Sequence, residues 1–387
     1  MKQRVMIVIG TRPEAIKLAP VVLEARRRSS EFDVSIVRTS QHREMLDQTL
    51  RDFDLIADVD LDVMKPDQDL VHITTDGLCK LVATMKRNPP DWVVVQGDTT
   101  TTFVGALAAF YQRARVAHVE AGLRTGHKYD PFPEEMNRCL TTQLADLHFA
   151  PTAGARENLL REGIAPECVH VTGNTAIDAL LYTLRRIRKP AACHGRSLLL
   201  TAHRRENHGA PMERICDAVL SLLERYPDLT VQFPVHLSPR VRATVFDRLQ
   251  QHPRVSLSEP LDYRGFVAAM HRARVILTDS GGVQEEAPSL GKPVLVLRNT
   301  TERPEAVQAG TALLIGTDRD RIVYEVSRLL DDSSHYAEMA CANNPYGDGK
   351  AAARVLDAML AFSTKSSRVN VSAPAVPVAM RELIVRG

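Results

Sequence analysis

A phosphate-binding turn is indicated by residues 275–292. The stretch starts with an apolar run typical of a buried parallel strand, continues through Asp-Ser-Gly-Gly at 279–282, and becomes helical in pattern from Val283. The first N–H groups of a helix have no partner inside it, and with the positive end of the helix dipole they favour an anion such as phosphate. Glu285 or Glu286 is placed to accept hydrogen bonds from sugar hydroxyl groups. A tight strand-to-helix turn without a ligand is the alternative.

Three acidic residues of the first half stand where acid–base chemistry would need them. Asp98 comes after an apolar strand pattern at 92–96 and Glu120 after another at 116–119, while Glu134 lies near a helix start. The carboxyl ends of parallel strands meet at one edge of a sheet, so side chains there converge on a common cleft. Carboxylates in such a cleft suit proton transfer. Structural roles are the alternative, because Asp98 can cap a helix and the helix dipole favours Glu134.

Cationic groups at other strand ends are suited to bind an anion. The turn at 10–17 presents Arg12 beside a predicted helix start and Lys17 about one turn later. His203 follows the strand pattern at 197–201, with two arginines directly behind it. Exposed charges on a capped helix, and a histidine with a structural role, are the alternatives.

Motifs for common cofactors are missing from these turns. The first turn lacks Gly-x-Gly-x-x-Gly, and no Gly-Lys-Ser/Thr follows it, so neither nicotinamide nor ATP chemistry is indicated. No His, Cys and Asp cluster has metal-ligand spacing. We therefore expect no cofactor and no dedicated metal.

The composition is typical of a globular protein. Of 387 residues, 44% are hydrophobic and 25% are charged, and the net charge of +2 argues against nucleic-acid or membrane partners. The six cysteines have no Cys-x-x-Cys spacing and are typical of reduced thiols. The apolar run at residues 5–9 is too short for a signal peptide or a membrane span. We therefore expect a cytoplasmic protein without membrane insertion.

Strand and helix patterns alternate along the chain and restart after residue 190. Such alternation predicts parallel sheets with helices on both faces, and the restart predicts two domains. The predicted strands are 4–9, 34–39, 92–96, 116–119, 147–150, 169–172, 197–201, 230–234, 254–258, 275–278, 293–297 and 312–315. The predicted helices include 14–28, 43–52, 70–86, 100–111, 133–144, 212–226, 240–250, 264–271 and 319–330. The fold class is therefore α/β, with two Rossmann-like doubly wound parallel-sheet domains and an active-site cleft between them.

The domain boundaries follow from the same patterns. Residues 1–188 would form the first domain, with the acidic residues, and 189–348 the second, with the phosphate turn. A helix at 349–362 is expected to pack back on the first domain. The tail at 363–387 is rich in Ser, Val, Ala and Pro near its start and is expected to be poorly ordered.

The wording and order of these segments resemble one family, the non-hydrolysing bacterial UDP-N-acetylglucosamine 2-epimerases. The matching segments span nearly the whole chain up to residue 349. They are GTRPEAIK (10–17), SQHREML (40–46), QGDTTTT (96–102), HVEAGLRTG (118–126), PFPEEMNR (131–138), TGNTAIDAL (172–180), HRREN (203–207), PVHLSP (234–239), DSGGVQEEAPSLGKPV (279–294) and TTERPEA (300–306). So many long matches in one order are far more specific than any single motif.

This resemblance implies a reaction as well as a fold. Members of the family have two Rossmann-like domains similar to those of glycosyltransferase-B enzymes. They invert carbon 2 of the sugar to give UDP-N-acetylmannosamine without a redox cofactor, by eliminating UDP and adding it back after reprotonation on the opposite face. The implied partners are UDP-N-acetylglucosamine and UDP, the product would supply surface polysaccharide synthesis, and the family suggests a homodimer.

Site residues can be carried over from the family by motif position. The acid–base set would be Asp98, Glu120 and Glu134, and the resemblance does not say which of them takes the carbon-2 proton. His203 would stabilise or protonate the leaving diphosphate, and the cations Arg12, Lys17 and Arg138 would assist it. The rest of the UDP site would comprise Ser280, Gly281 and Gly282 for the phosphates, Glu286 for the ribose, Phe266 for the uracil, and Arg303 for a further phosphate or domain-closing contact.

Two departures from the family pattern bear on binding. Leu261 stands near the base pocket, where relatives can carry a polar side chain, which puts uracil contacts there in doubt. Bacterial members are often activated by a second UDP-N-acetylglucosamine beside the active site. The matching positions here are Gln41, His42, Gln68 and His236. Asp67 replaces a residue that is basic in some relatives, so the resemblance leaves activation open.

Other functions fit the same scaffold. A hydrolysing 2-epimerase would release UDP and N-acetylmannosamine, and a glycosyltransferase would need an acceptor. A UDP-sugar sensor would bind without turnover, and the complete set of carboxylates argues against it.

Overall fold

The chain forms two parallel β-sheets of seven and six strands. The computed structural model describes residues 2–39, 43–63, 69–187 and 195–371. Helices connect successive strands within each sheet and cover both of its faces. The predicted fold class is therefore confirmed.

The first sheet has the strand order β3-β2-β1-β4-β5-β6-β7. Its strands are β1 (Gln3–Ile9), β2 (Phe32–Arg38), β3 (Val59–Asp60), β4 (Trp92–Gln96), β5 (Arg115–Val119), β6 (Leu147–Ala150) and β7 (Val169–Val171). The helices of this half are α1 (Arg12–Arg27), α2 (Arg43–Asp52), α3 (Leu70–Arg87), α4 (Thr100–Tyr111), α5 (Glu134–Leu144), α6 (Ala153–Arg161) and α7 (Thr175–Arg186). The strand order reverses between β1 and β4, which is the switch point where open α/β sheets bind ligands.

The second sheet has the order β10-β9-β8-β11-β12-β13. Its strands are β8 (Ser197–Thr201), β9 (Thr230–Pro234), β10 (Val255–Ser258), β11 (Val275–Thr278), β12 (Val294–Val296) and β13 (Ala312–Leu314). The helices that follow are α8 (Ala210–Arg225), α9 (Pro239–Leu249), α10 (Tyr263–Arg272), α11 (Gly281–Glu286), α12 (Pro304–Gln308), α13 (Arg319–Asp331), α14 (Ser333–Ala340) and α15 (Ala351–Val371).

The central strands are apolar because both faces of each sheet are covered. In β1, Val5, Ile7 and Ile9 belong to one buried cluster, while Met6 and Val8 belong to another on the opposite face. Side chains alternate between faces along a strand, so a continuous apolar run supplies both cores. This is why the runs in the sequence predicted these strands well.

One core is shared by the two halves. The cluster on one face of the first sheet continues to Leu199 in β8 and Ile276 in β11. The last helix, α15, packs against α1 and α7 of the first half. None of the helices in the described part of the chain combines the length and the apolar character that crossing a bilayer requires.

Two elements differ from the sequence prediction. The strand β3 was not predicted, because a two-residue pairing at a sheet edge leaves no apolar pattern. The predicted helix end at residue 362 is wrong, since α15 runs to Val371. Ser363 is only 6% exposed, accepts a hydrogen bond from Trp92 Nε1 at 3.1 Å and contacts Gln3 Oε1 at 3.1 Å. These contacts hold the start of the extension against the first sheet, so the expectation of a poorly ordered tail from residue 363 is wrong for this part. Residues 372–387 lie outside the described part of the chain.

Candidate active site

Hydrogen bonds between the two halves close a cleft at the carboxyl ends of their strands. Arg12, directly after β1, donates from Nη2 to the carbonyl oxygen of Leu261 at 3.1 Å. Thr152, directly after β6, donates its hydroxyl to Glu305 Oε1 in α12 at 2.8 Å. The strand-end residues of one sheet therefore face those of the other.

Asp98 lies on a tight turn after β4 and is held by α5. Gly97 has a φ of 76°, which suits glycine and lets the chain turn directly after the strand. Asn137 donates its side-chain amide to the carbonyl oxygen of Asp98 at 3.0 Å, and the Arg138 guanidinium pairs with the Asp98 carboxylate. Glu134 begins the same helix one turn before Arg138. The structure thus brings Asp98 and Arg138 into contact and places Glu134 on the helix that holds them.

Glu120 is buried at the end of the neighbouring strand β5. Strands β4 and β5 pair in parallel up to Gln96 and Val119, so residues 98 and 120 follow adjacent strand ends. The Glu120 carboxylate accepts hydrogen bonds from Lys17 Nζ at 2.5 Å, from Asn174 Nδ2 at 3.0 Å and from the Gln96 amide. Its backbone has a φ of 62°, a left-handed conformation that is costly for a residue with a side chain.

Two cations keep Glu120 ionised. Burial alone would raise the pKa of this carboxyl, but the charges of Lys17 and Arg303 and the donated hydrogen bonds outweigh it, and its pKa is lowered. Burial would likewise lower the pKa of Lys17, but the charges of Glu120 and Glu285 raise it above the usual value. The pair is therefore a carboxylate and an ammonium group at neutral pH.

His203 is oriented by a buried aspartate that the sequence analysis did not assign to the site. Asp279, which is 0% exposed, accepts hydrogen bonds at Oδ2 from the backbone N–H groups of His203 and Arg204, both at 2.8 Å, and from Asn207 Nδ2 at 2.9 Å. Its Oδ1 lies 3.0 Å from His203 Nδ1, an ion-pair distance, although the angle is poor for a hydrogen bond. The aspartate therefore holds the backbone at His203 in place and lies beside the Nδ1 side of its ring. Its position at the head of the Asp-Ser-Gly-Gly turn was the available signal.

A cavity of about 220 Å³ opens beside His203 at the strand ends of the second sheet. Five of the predicted site residues line it, namely Arg12, His203, His236, Phe266 and Ser280. The remaining walls are formed by Thr201, Ala202, Pro234, Pro260, Leu261 and Val283. The acidic residues of the first half, Asp98, Glu120 and Glu134, lie outside these walls.

The glycine turn, which contributes Ser280 to this cavity, lies against Arg303. Ser280 precedes α11, and Gly281 and Gly282 form its first turn. The guanidinium carbon of Arg303 lies 3.7 Å from the position that a Cβ of Gly281 would occupy. Arg303 also pairs with the buried carboxylate of Glu285. Backbone N–H groups and a guanidinium therefore meet at this turn, as an anion would require.

Glu286 is the last residue of α11 and is poorly hydrated. Its carboxylate accepts a hydrogen bond from the Tyr263 hydroxyl at 3.3 Å. Although part of its surface is open, desolvation raises the pKa of Glu286 to about 8, and the charge of Glu285 adds to the effect. The ligand-free carboxyl is therefore mostly protonated at neutral pH.

This protonation gives a prediction for stability. The Glu286 carboxyl has an ordinary pKa of 4.5 and a pKa of about 8 in the folded protein. Between these two pH values the folded protein keeps the proton that the unfolded chain loses. The free energy of unfolding therefore falls as the pH rises from about 4.5 to about 8. Glu286→Gln removes the titration. We expect its Tm to exceed that of the wild type by about 2–4 °C at pH 8, with a smaller difference at pH 5, in thermal denaturation without ligand. An exposed glutamate of α8, Glu224→Gln, is the control, and an equal Tm difference at both pH values would contradict the prediction.

Glu14 is a second buried acid that the sequence analysis did not assign. It is 2% exposed. On one side it accepts hydrogen bonds from the backbone N–H groups of Gly10 at 2.8 Å and Thr11 at 2.6 Å. On the other side it accepts hydrogen bonds from the hydroxyls of Thr99 at 2.6 Å and Thr102 at 3.1 Å. It therefore joins the turn that carries Arg12 to the turn that carries Asp98. The Thr-x-x-Glu spacing of a capping box was the signal, and the capping box is present at α1.

The candidate second-ligand residues are only partly described. Gln41, His42 and Gln68 lie outside the described residues. The fourth, His236, lines the cavity and stacks on His203, with ring centroids 5.7 Å apart. Desolvation and then the charge of His203 lower the pKa of His236.

Comparisons with known proteins agree with this geometry. The family profile described as UDP-N-acetylglucosamine 2-epimerase matches residues 24–360. The UDP-N-acetylglucosamine 2-epimerase of Bacillus subtilis is 52% identical over 366 residues, covering 93% of this chain and 95% of the relative. The Escherichia coli K12 enzyme of the same name is 49% identical over 384 residues, covering 95% of this chain and all of the relative.

Solved structures give the same result. The Neisseria meningitidis UDP-GlcNAc 2-epimerase, crystallised bound to UDP-GlcNAc, superposes with a TM-score of 0.85 at 47% identity, covering 92% of this chain and 99% of that one. A glycotransferase of kitacinnamycin, at 11% identity and a TM-score of 0.63, shares the fold alone. The long matches at about half identity and the two facing sheets agree, and the chain belongs to the UDP-N-acetylglucosamine 2-epimerase family.

Proposed function

We propose that this chain interconverts UDP-N-acetylglucosamine and UDP-N-acetylmannosamine without net hydrolysis. The observation that carries the proposal is the placement of acidic strand-end residues, Asp98 and Glu120, in a cleft that also contains a glycine turn backed by Arg303. One side of the cleft is suited to proton transfer and the other to a diphosphate. The bound UDP-GlcNAc of the related Neisseria structure supports the choice of substrate.

Inversion at carbon 2 needs two proton-transfer events. A proton leaves one face of the ring, UDP departs, and a proton arrives on the opposite face before UDP adds back. At least two acid–base groups on opposite sides of the sugar suit this sequence. We propose that they come from Asp98, Glu120 and Glu134. The dense set of donors around Glu120 supports a carboxylate form for it in the ligand-free protein.

Departure of UDP needs positive charge that strengthens as the leaving group develops negative charge. We propose that His203 contacts the leaving diphosphate through the ring nitrogen that does not face Asp279. Arg12, Lys17 and Arg138 would support it. Lys17 pairs with Glu120, and Arg138 pairs with Asp98. Each cation would therefore contact both an acid–base carboxylate and the leaving diphosphate.

The second half would bind the rest of UDP. We propose that Ser280, Gly281 and Gly282 hold the phosphates together with Arg303, and that Glu286 accepts hydrogen bonds from the ribose. Phe266 would pack against the uracil. The location of Phe266 and Ser280 on the walls of one 220 Å³ cavity supports this arrangement.

Turnover in deuterated water tests the function. We expect UDP-N-acetylmannosamine to form from UDP-N-acetylglucosamine with deuterium at carbon 2, followed by NMR. Epimer that carries no deuterium at carbon 2 would contradict the proton-transfer mechanism.

The same reaction mixture separates the alternatives. Free UDP that accumulates in proportion to N-acetylmannosamine would indicate the hydrolysing reaction. Turnover that appears only when a sugar acceptor is added would indicate a glycosyltransferase. We expect neither, because the donor alone should suffice and UDP should be returned to the sugar.

We further propose a homodimer, the assembly that the family resemblance suggests. Phe110 and Tyr111 at the end of α4 are 58% and 57% exposed, and Leu140 on the adjacent α5 is 42% exposed. Large apolar side chains exposed on neighbouring helices favour burial against another surface, here a second copy. Sedimentation as a monomer at micromolar concentration would reject this proposal.

We propose domain boundaries at 1–188 and 189–348, with the helix that follows belonging to the first domain. A second substrate molecule would bind near Gln41, His42, Gln68 and His236.

We propose a cytoplasmic location, which the free thiols of the described cysteines favour.

A further inference from the structure

We propose that Asn174 is a positioning residue that ties the Glu120 carboxylate to the UDP-binding half through Glu285. The inference rests on the proposed function, because it gives Glu120 an acid–base role. Asn174 has no role in the proposed function, and its bridge would link proton transfer at Glu120 to the contact between the two halves.

The amide of Asn174 bridges carboxylates from both halves. Asn174 Nδ2 donates to Glu120 Oε1 at 3.0 Å and to Glu285 Oε2 at 2.9 Å. Glu120 follows β5 of the first sheet, whereas Glu285 lies in α11 of the second half. An amide nitrogen has two hydrogens, and each is used on a different half of the protein.

The remaining polar groups of Asn174 hold it in place. Its Oδ1 accepts a hydrogen bond from the N–H of Ala176 at 2.9 Å and so caps α7. Its backbone N–H donates to the carbonyl oxygen of Tyr346 at 2.6 Å, in the segment that returns from the second half to α15. The side chain is buried, at 2% exposure. All its hydrogen-bonding groups are thus satisfied, so the amide has little freedom to reorient.

The charges around the bridge make the amide necessary. Glu120 pairs with Lys17, and Glu285 pairs with Arg303. The two carboxylates share one small region, in which each interacts with the other's cation. Direct contact between two carboxylates would be repulsive, whereas a neutral amide that donates to both holds them at a fixed separation.

This bridge would transmit the state of the UDP site to Glu120. Arg303 contacts both Glu285 and the glycine turn, so a phosphate at that turn acts on Glu285 through Arg303. Because Asn174 donates to both carboxylates, a movement of Glu285 would also move Glu120. The acid–base group would therefore reach its working geometry only when the two halves are engaged.

Asn174→Ser tests this role, because serine keeps a helix-cap acceptor and removes both donations. We expect kcat for epimerisation to fall about tenfold to hundredfold, while the Kd for UDP stays within about twofold of the wild type. Loss of a hydrogen bond to the ionised form also raises the kinetic pKa of Glu120, so the acidic limb of the kcat profile should move to higher pH. Lys17, Arg303 and His118 are other charged or titratable groups that interact with Glu120, and the substitution leaves their side chains in place. Glu285 loses the Asn174 donation but keeps its ion pair with Arg303.

A double-mutant cycle tests the link to the second half. If Asn174 acts through Glu285, then Asn174→Ser and Glu285→Gln affect kcat less than additively when combined. The control Asp332→Ser exchanges one cap residue for another at α14. Its neighbour Asp331 pairs with Arg196 directly before β8, at the sheet edge opposite the cleft, so the exchange should leave kcat and its pH profile unchanged. A second variant, Asn174→Asp, keeps the cap and places a carboxyl between the two glutamates, and it should be at least as impaired as Asn174→Ser.

The outcomes separate this inference from the proposed function. A wild-type protein without epimerase activity would overturn the proposed function. A normal wild type, together with an Asn174→Ser variant of unchanged kcat and pH profile, would overturn only the role of Asn174. A variant with lower Tm but an unchanged pH profile and additive effects would make Asn174 a structural cap and would likewise overturn the proposal.

Discussion

Replacing Asp98 with asparagine is expected to lower kcat for epimerisation by a factor of about 10² to 10⁴, the usual contribution of a positioned acid or base. The amide cannot exchange a proton as the carboxyl does. Arg138 keeps an ion pair with Glu135 at 3.1 Å, so the helix that carries it should stay in place. The affinity for UDP should remain within about twofold, because Asp98 lies outside the cavity of the second half.

Deuterium incorporation at carbon 2 and calorimetric titration with UDP measure these two quantities. Asp91→Asn is a matched control. Asp91 precedes β4, whereas Asp98 follows it, so the two aspartates lie at opposite ends of one strand. Asp91 accepts a hydrogen bond from the backbone N–H of Arg4 at 2.8 Å. Turnover at the wild-type rate in Asp98→Asn would remove Asp98 from the acid–base set.

Replacing Arg303 with alanine is expected to weaken both UDP binding and the fold. The guanidinium lies against Gly281 and pairs with Glu285, which is only 1% exposed. Truncation leaves a buried carboxylate without its cation, which typically costs about 3–5 kcal/mol of stability. The phosphate site loses a charged donor as well, so the Kd for UDP should rise about tenfold or more.

Thermal denaturation and UDP titration, performed on the same samples, separate the two effects. Arg254→Ala is the control for stability alone, since Arg254 donates to the carbonyl oxygens of Leu223 and Tyr226, both at 2.6 Å, within the second half. Arg303→Lys keeps the charge and should recover part of the UDP affinity. If Arg303→Ala bound UDP as tightly as Arg254→Ala, the phosphate-binding role of Arg303 would be wrong.

The positions of the strands could be predicted because the strands are buried on both faces. The predicted bounds of β4, β6 and β8 coincide with the observed Trp92–Gln96, Leu147–Ala150 and Ser197–Thr201. Each is an apolar run bounded by turn residues, and such a run has few alternatives in an alternating α/β chain. Asp98 after β4 and Glu120 after β5 were found by the same reasoning, because the carboxyl end of a parallel strand has a known place in the fold.

The partners of those residues could not be predicted. Asn174 contacts Glu120 across 54 positions of sequence and Glu285 across 111. The backbone N–H of His203 is bonded to Asp279 across 76 positions. Spacing rules describe neighbours on one helix or strand, and none of them relates residues so far apart. Their contacts follow from strand order and from the way the two halves pack.

The sequence by itself determined the alternating fold, the strand ends that carry acidic and cationic groups, the glycine turn and, through its motifs, the family. These features are local, since they depend on apolar runs, turn residues and their immediate neighbours. Only the tertiary structure decided which charges pair, which acids are desolvated and how an amide joins the two halves. Electrostatic energies depend on distance and hydration in three dimensions, and packing of the two sheets sets both.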